Sequence, residues 1–254
     1  MEDVDRPREV PGAAAGILAT LEAFGFQWDG FVLRQSERRA AYQRALDRLA
    51  AHGLTFQCSC SRSDLAEEVR YPGHCRRGPR EASAATATRL KVEPGIVNFI
   101  DRIQGEYSQD VAQEVGDPIL RRRDGLYAYL LAVVVDDAHQ GVTHVVRGAD
   151  LLDNTPRQIY LQRLLGLPTP VYTHVPILAE PDGSKLAKSA RSVRVDRGRP
   201  AAQLTYLLEI LGLAPPPALA HGPLRSLWDW AVGQWHLDRV ERRRILHLGP
   251  QLGP

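Results

Sequence analysis

The stretch from Leu126 to Leu178, LYAYLLAVVVDDAHQGVTHVVRGADLLDNTPRQIYLQRLLGLPTPVYTHVPIL, decides the fold class. Leu126 to Asp137 is an apolar run closed by a carboxylate pair, and it reads as a buried helix or as a strand of a central sheet. Thr143 to Arg147 is β-branched and reads as a strand. Asn154-Thr155-Pro156 opens a helix running to about Leu165, with Asn154 as cap and Pro156 in the first turn. Val171 to Leu178 reads as a further strand. Strands alternating with helices predict an α/β domain with a mostly parallel sheet. Such a sheet binds ligands at the carboxyl ends of its strands.

Towards the N-terminus, Pro11-Gly12 precedes a predicted helix from Ala13 to Phe24, with Ile17, Leu18 and Leu21 on one face. Ser36 is a candidate cap for a second helix, in which Tyr42, Leu46 and Leu49 recur at helical spacing before His52-Gly53 ends it. Arg89 to Val92, Ile96 to Ile103 and Ile119 to Arg122 read as short strands. Beyond Leu178, Pro181-Asp182-Gly183 predicts a tight turn. Residues 191–254 read as a short helical region, with apolar faces at Leu204, Leu207, Leu208 and Leu211 and at Leu227, Trp230 and Trp235.

With 254 residues and 44% hydrophobic content, the chain can bury one good core and perhaps a small appendage. A net charge of +2 allows a nucleic-acid partner without arguing for one. No apolar run reaches bilayer-spanning length, and the acidic start Met1-Glu2-Asp3-Val4-Asp5 is no signal peptide. The expectation is a cytoplasmic protein with no membrane partner.

Three constellations carry candidate chemistry. All three cysteines, Cys58, Cys60 and Cys75, lie in one Arg-, Gly- and Pro-rich segment, about 56–80. Three clustered thiols suggest Zn²⁺ rather than disulfides. A closed tetrahedral site needs a fourth ligand, and both His74 and Tyr71 are candidates. Second, two of the three lysines sit in Gly183-Ser184-Lys185-Leu186-Ala187-Lys188-Ser189. In a chain this biased towards Arg, paired lysines in a loop of small residues suit a phosphate met by mobile point charges. Third, Glu2, Tyr129 and Arg147 are scattered, and each alone has an ordinary structural explanation. An Arg at a strand's carboxyl end also suits a bidentate grip on a substrate carboxylate. His52, His139, His144, His174, His221, His236 and His247 carry no assigned role.

These residues fall within segments that together resemble the class I glutamyl-tRNA synthetases. The segments are Glu2 to Ala14, Gln35-Ser36-Glu37-Arg38, Cys58-Ser59-Cys60, Tyr71 to Arg76, Arg122 to Tyr129, Val135-Asp136-Asp137, Val146 to Leu151 and Lys185 to Ser189. They run in the family's order over nearly the whole chain. The resemblance implies a Rossmann-like catalytic domain over 1–190 with a zinc-binding insertion at about 56–80. It implies zinc on Cys58, Cys60, Tyr71 and Cys75, and not on His74. The lysine loop matches the family's Lys-Met-Ser-Lys-Ser motif, so Lys185 and Lys188 would bind ATP, taken as substrate with Mg²⁺, and Lys188 would act in catalysis. Ala187 replaces the motif's serine. The family's glutamate pocket falls on Glu2, Tyr129 and Arg147.

About sixty-five residues follow the lysine loop, too few for the family's helical anticodon-binding domain. The shortened branch lacking that domain attaches glutamate to queuosine in tRNA(Asp). The resemblance therefore implies ATP-dependent activation of L-glutamate and glutamyl transfer to queuosine-bearing tRNA(Asp). The rival readings are a minimal synthetase charging tRNA(Glu) and a non-catalytic zinc-containing remnant that binds tRNA or protein. The family also opens with a strand and a His-x-Gly loop that packs on ATP. Neither precedes Glu2 here, so the expectation is a late start assignment or an N-terminal truncation.

Overall fold

The computed structural model describes residues 1–81, 83–179 and 195–247. The turn at Pro181-Asp182-Gly183 and the lysine loop with Lys185 and Lys188 lie outside the described residues.

The first helix, α1 (Ala13–Ala23), forms where the sequence predicts it but buries none of its residues. Ile17 is half exposed, and the chain turns at Gly25 so that Phe24 alone goes inside. Helix α2 (Arg39–Ala51) buries Tyr42, Leu46 and Leu49. Ser36 does not cap it. Ser36 sits in a 3₁₀ turn and gives both its N–H and its hydroxyl to the Asp3 carboxylate. This contact fastens the N-terminal segment beside Leu33–Gln35, where the Gln35 N–H also donates to the Met1 carbonyl.

Next come β1 (Thr55–Cys58), β2 (Ala87–Leu90), β3 (Ile96–Asp101), β4 (Gly105–Asp110), the one-turn α3 (Val111–Glu114) and β5 (Ile119–Arg121). Strands β1, β2 and β5 make an antiparallel sheet in that order, and β3 and β4 make an antiparallel hairpin. The apolar run then resolves as a helix, α4 (Tyr129–His139), with Leu131 to Val134 and Asp136 buried. Strand β6 (His144–Gly148), α5 (Thr155–Leu165) and β7 (Val171–Val175) follow. They form a parallel β-α-β unit in which His144 pairs Val171 and Arg147 pairs His174. Asn154 precedes α5 without a capping side-chain hydrogen bond.

The predicted final strand of this stretch breaks at Pro176, and β8 (Ile177–Ala179) continues as a separate piece. Helices α6 (Pro200–Ile210) and α7 (Leu224–Gln234) come after it. The C-terminal region is not purely helical: β9 (Ile245–His247) returns to pair in parallel with β8.

The mostly parallel sheet is therefore corrected. Among the described residues, only β6–β7 and β8–β9 are parallel. Parallel pairing needs a long crossover, and α5 is the helix that supplies one between adjacent strands. Among the antiparallel pairs, only β3–β4 is joined by a short turn, at residues 102–104.

Among the described residues, three apolar clusters hold the fold. The main one joins α2, α4 and α5 to Leu90, Val97, Leu120 and Tyr172. A second consists of Phe56, Cys58, Cys60, Tyr71 and Cys75. The third, built on Leu204, Leu208, Leu213 and Leu227, belongs to the C-terminal helices. It is tied back where the Trp228 indole donates to the Phe24 carbonyl at 2.8 Å. Among the described residues, no helix is long and apolar enough to cross a membrane.

Candidate active site and thiol cluster

Strand β1 ends in Cys58, and Cys60 follows on the chain leaving the sheet. Tyr71 is placed by the body of the protein: its N–H donates to the Val115 carbonyl, and it forms a bridge with Gly116. Gly116 has φ +76°, and a side chain there would collide with the Tyr71 carbonyl, so the approach requires glycine. A turn from Gly73 brings Cys75 back. Arg76 then clamps the segment with two bonds to the buried Asp117 carboxylate at 2.6 and 2.8 Å and one to the Val92 carbonyl.

The result is a buried knot of soft donors. The three sulfurs lie within 4.8 Å of one another. Cys60 and Cys75 Sγ are 3.5 Å apart, and the Tyr71 hydroxyl is 3.4 Å from Cys58 Sγ. Zn–S bonds of about 2.3 Å in a tetrahedron put sulfurs about 3.8 Å apart, so the spacing fits zinc. Burial opposes ionisation of the Cys75 thiol, but backbone N–H groups of Arg80 and Ser59 outweigh it and hold the thiol at about 6. Burial, with the neighbouring thiols, pushes Cys60 up to about 11. The Arg89 guanidinium lies 3.8 Å over the Tyr71 ring. His74 is outside the knot, with Nε2 facing Glu68 at 3.9 Å.

The second site gathers at the carboxyl end of β6. Arg147 is held there by uncharged acceptors. Its Nε donates to His174 Nε2 at 3.0 Å, and its Nη2 donates to Thr155 Oγ1 at 2.9 Å and Gln158 Oε1 at 2.8 Å. The Tyr172 ring lies beneath the guanidinium, 5.3 Å away. No carboxylate among the described residues forms an ion pair with it. Glu2, Tyr129 and Asp137 lie close enough for the Arg147 charge to act on each. Burial raises the Glu2 carboxyl, opposed by the N-terminal ammonium and by Arg147. Burial also raises the Tyr129 phenol, with the Glu2 charge adding to it. Asp137 is pushed up to about 6 by burial and by Glu2 and Asp136, against the pull of Arg147.

Thus the structure brings Glu2, Tyr129 and Arg147 into one neighbourhood, although the sequence scatters them. Sequence reasoning missed Asp137, Thr155, Gln158 and His174 as members of this group. Asp137 had a usable signal: it lies two helical turns from Tyr129, on the same face of α4.

Residues 1–205 match the family model for class I tRNA synthetases (E and Q), catalytic domain. The chain belongs to the class I glutamyl- and glutaminyl-tRNA synthetase family. Among curated relatives it is 51% identical over 257 residues to a glutamyl-Q tRNA(Asp) synthetase of Dechloromonas aromatica, covering 98% of this chain and 85% of that one. A glutamyl-Q tRNA(Asp) synthetase of Pseudomonas paraeruginosa is also 51% identical, over 97% of this chain and 84% of its own. Among solved structures, the glutamate-tRNA synthetase of Elizabethkingia anophelis superposes with a TM-score of 0.79 at 21% identity. That match covers 98% of this chain, which spans 60% of the length of that structure. This likeness shows the synthetase catalytic fold.

Proposed function

We propose that this chain activates glutamate with ATP and transfers the glutamyl group to queuosine in tRNA(Asp). The observation that carries the reading is Arg147, a cation held in place by neutral acceptors beside Glu2 and Tyr129, with no carboxylate paired to it among the described residues. Such a group is complementary to a ligand carboxylate. The names of the relatives supply the acceptor.

In the first step a carboxylate oxygen of glutamate attacks the α-phosphorus of ATP, and pyrophosphate leaves. In the second a queuosine hydroxyl takes the glutamyl group and AMP leaves. Arg147 grips a carboxylate of glutamate, Glu2 receives its ammonium, and Tyr129 lines the pocket. Lys185 and Lys188, with Mg²⁺, meet the ATP phosphates, and Lys188 stabilises charge developing in the transition state. Cys58, Cys60, Tyr71 and Cys75 would hold zinc. With all four positions filled by protein, its role is structural. The catalytic body is assigned to 1–190, with the insertion at about 56–80, and the C-terminal region to 191–254.

The test offers labelled glutamate to tRNA(Asp) with and without queuosine and to tRNA(Glu), using the full-length gene product. Label is expected on queuosine-containing tRNA(Asp) alone. Label at the 3′ end of tRNA(Glu) instead would overturn the acceptor assignment. Lys188→Ala should lower the rate of pyrophosphate exchange by about 100-fold or more while changing the KM for glutamate little.

A further inference from the structure

Arg147 and His174 are paired neighbours on β6 and β7. Behind His174 stands Asp101, at the end of β3. Both side chains are fully buried, and Asp101 Oδ2 lies 2.6 Å from His174 Nδ1. The other oxygen, Oδ1, accepts three backbone N–H groups, from Ile103 at 3.0 Å, Gln104 at 2.8 Å and His174 at 3.1 Å. These bonds hold the Asp101 carboxyl below its ordinary range although burial opposes its ionisation.

Proton positions follow from these contacts. Arg147 Nε can only donate, so His174 Nε2 must accept from it. His174 is then neutral, with its proton on Nδ1 and directed at Asp101. Of the five donors in the Arg147 fork, Nε–H and both Nη2 N–H groups are engaged by His174, Thr155 and Gln158. The two Nη1 N–H groups are not taken by any described residue.

We propose that Asp101 and His174 are positioning residues for Arg147: the buried carboxylate sets the histidine tautomer, and that tautomer turns Nη1 towards the carboxylate of glutamate. The inference rests on the reading that Arg147 receives that carboxylate.

Asp101→Asn gives a sharp test. Three N–H groups converge on the Oδ1 position, so the amide oxygen must sit there and the NH₂ must face His174 Nδ1. That forces the proton to Nε2, against the Arg147 Nε–H. In the full-length gene product, Asp101→Asn should raise the glutamate Kd and the KM for glutamate about 10- to 100-fold. The KM for ATP should be unchanged. His174→Gln, whose amide oxygen can replace Nε2 and has no tautomer, should keep most of the affinity. Adding Asp101→Asn to it sets the new NH₂ at position 101 against the amide at position 174. That amide must turn its oxygen to position 101 and its own NH₂ to Arg147, so the loss should return.

An unchanged glutamate KM in Asp101→Asn, or a His174→Gln variant that loses as much affinity as Asp101→Asn, overturns the proposal. If Asp101→Asn fails to fold, His174→Leu against His174→Gln reads the same acceptor, and equal KM values there overturn it too. Arg147→Leu separates the two levels. If it binds glutamate normally, the reading of Arg147 itself is wrong. If it loses glutamate while Asp101→Asn does not, only the relay is wrong.

Discussion

The thiol cluster and the Arg147 pocket are built in opposite ways. The cluster draws its donors from one short segment, Cys58 to Cys75, and packs them as a small buried unit of their own. The pocket draws on Glu2, Tyr129 and Arg147, and on supports from β3, β7 and α5 that are distant in sequence. Removing one donor from the first attacks the order of a segment. Removing one from the second attacks a charge and leaves the core beneath it.

The largest effect that could break this contrast is at the cluster. Structural zinc contributes about 10 kcal/mol or more to small sites of this kind. Cys75→Ala is expected to lose stoichiometric zinc and to open residues 56–80 to proteolysis. His74→Ala should keep about one equivalent, because His74 faces Glu68 instead. Zinc content by elemental analysis checks both. Full retention in Cys75→Ala would mean that the cluster is not the metal site, and loss in His74→Ala would mean that His74, not Tyr71, is the fourth ligand.

The same contrast explains what the sequence reveals. Close cysteines announce a site by spacing alone, and the position of Arg147 at a strand end is visible in the β-branched run before it. His174 could not be singled out among the scattered histidines, because its role depends on a strand register and on a carboxylate far upstream. Helices α1 and α2 were legible from apolar periodicity, which acts locally, and α5 from its Asn154-Thr155-Pro156 start, whereas the uniformly apolar run that forms α4 left helix and strand open. The pairing of β1 with β2, the break at Pro176 and the return of β9 depend on partners that no local pattern names. Ser36 has the composition of a helix cap, yet it spends its hydrogen bonds on Asp3.

A smaller effect sharpens the comparison within the pocket itself, where two adjacent carboxylates have opposite fates. Asp136 is structural. It accepts from Arg38 Nε and from the Tyr42 hydroxyl, both at 2.6 Å, and so ties α2 to α4. Burial and this bond raise the Tyr42 phenol far above its ordinary value. Tyr42→Phe leaves an Asp136 oxygen without its donor, which typically costs about 1–3 kcal/mol. The melting temperature should fall by a few degrees with glutamate affinity nearly unchanged. A large loss of affinity without loss of stability would move Asp136 into the binding machinery.

Asp137 is the opposite case, and its effect is the smallest. Among the described residues it makes no comparable ion pair, and its carboxyl is raised from 3.8 to about 6, first by burial. Between those values the folded state holds a proton that the unfolded chain has released. Stability therefore falls as pH rises through this window, and the whole penalty is present above about 6. Because Asp137 is only partly buried, water screens much of the cost, and about 1 kcal/mol is expected. Asp137→Asn has no such proton to lose. Its stability, measured by denaturant unfolding across this window, should gain on the parent protein as pH rises and run level with it above. Parallel curves would show that Asp137 is as well satisfied as Asp136.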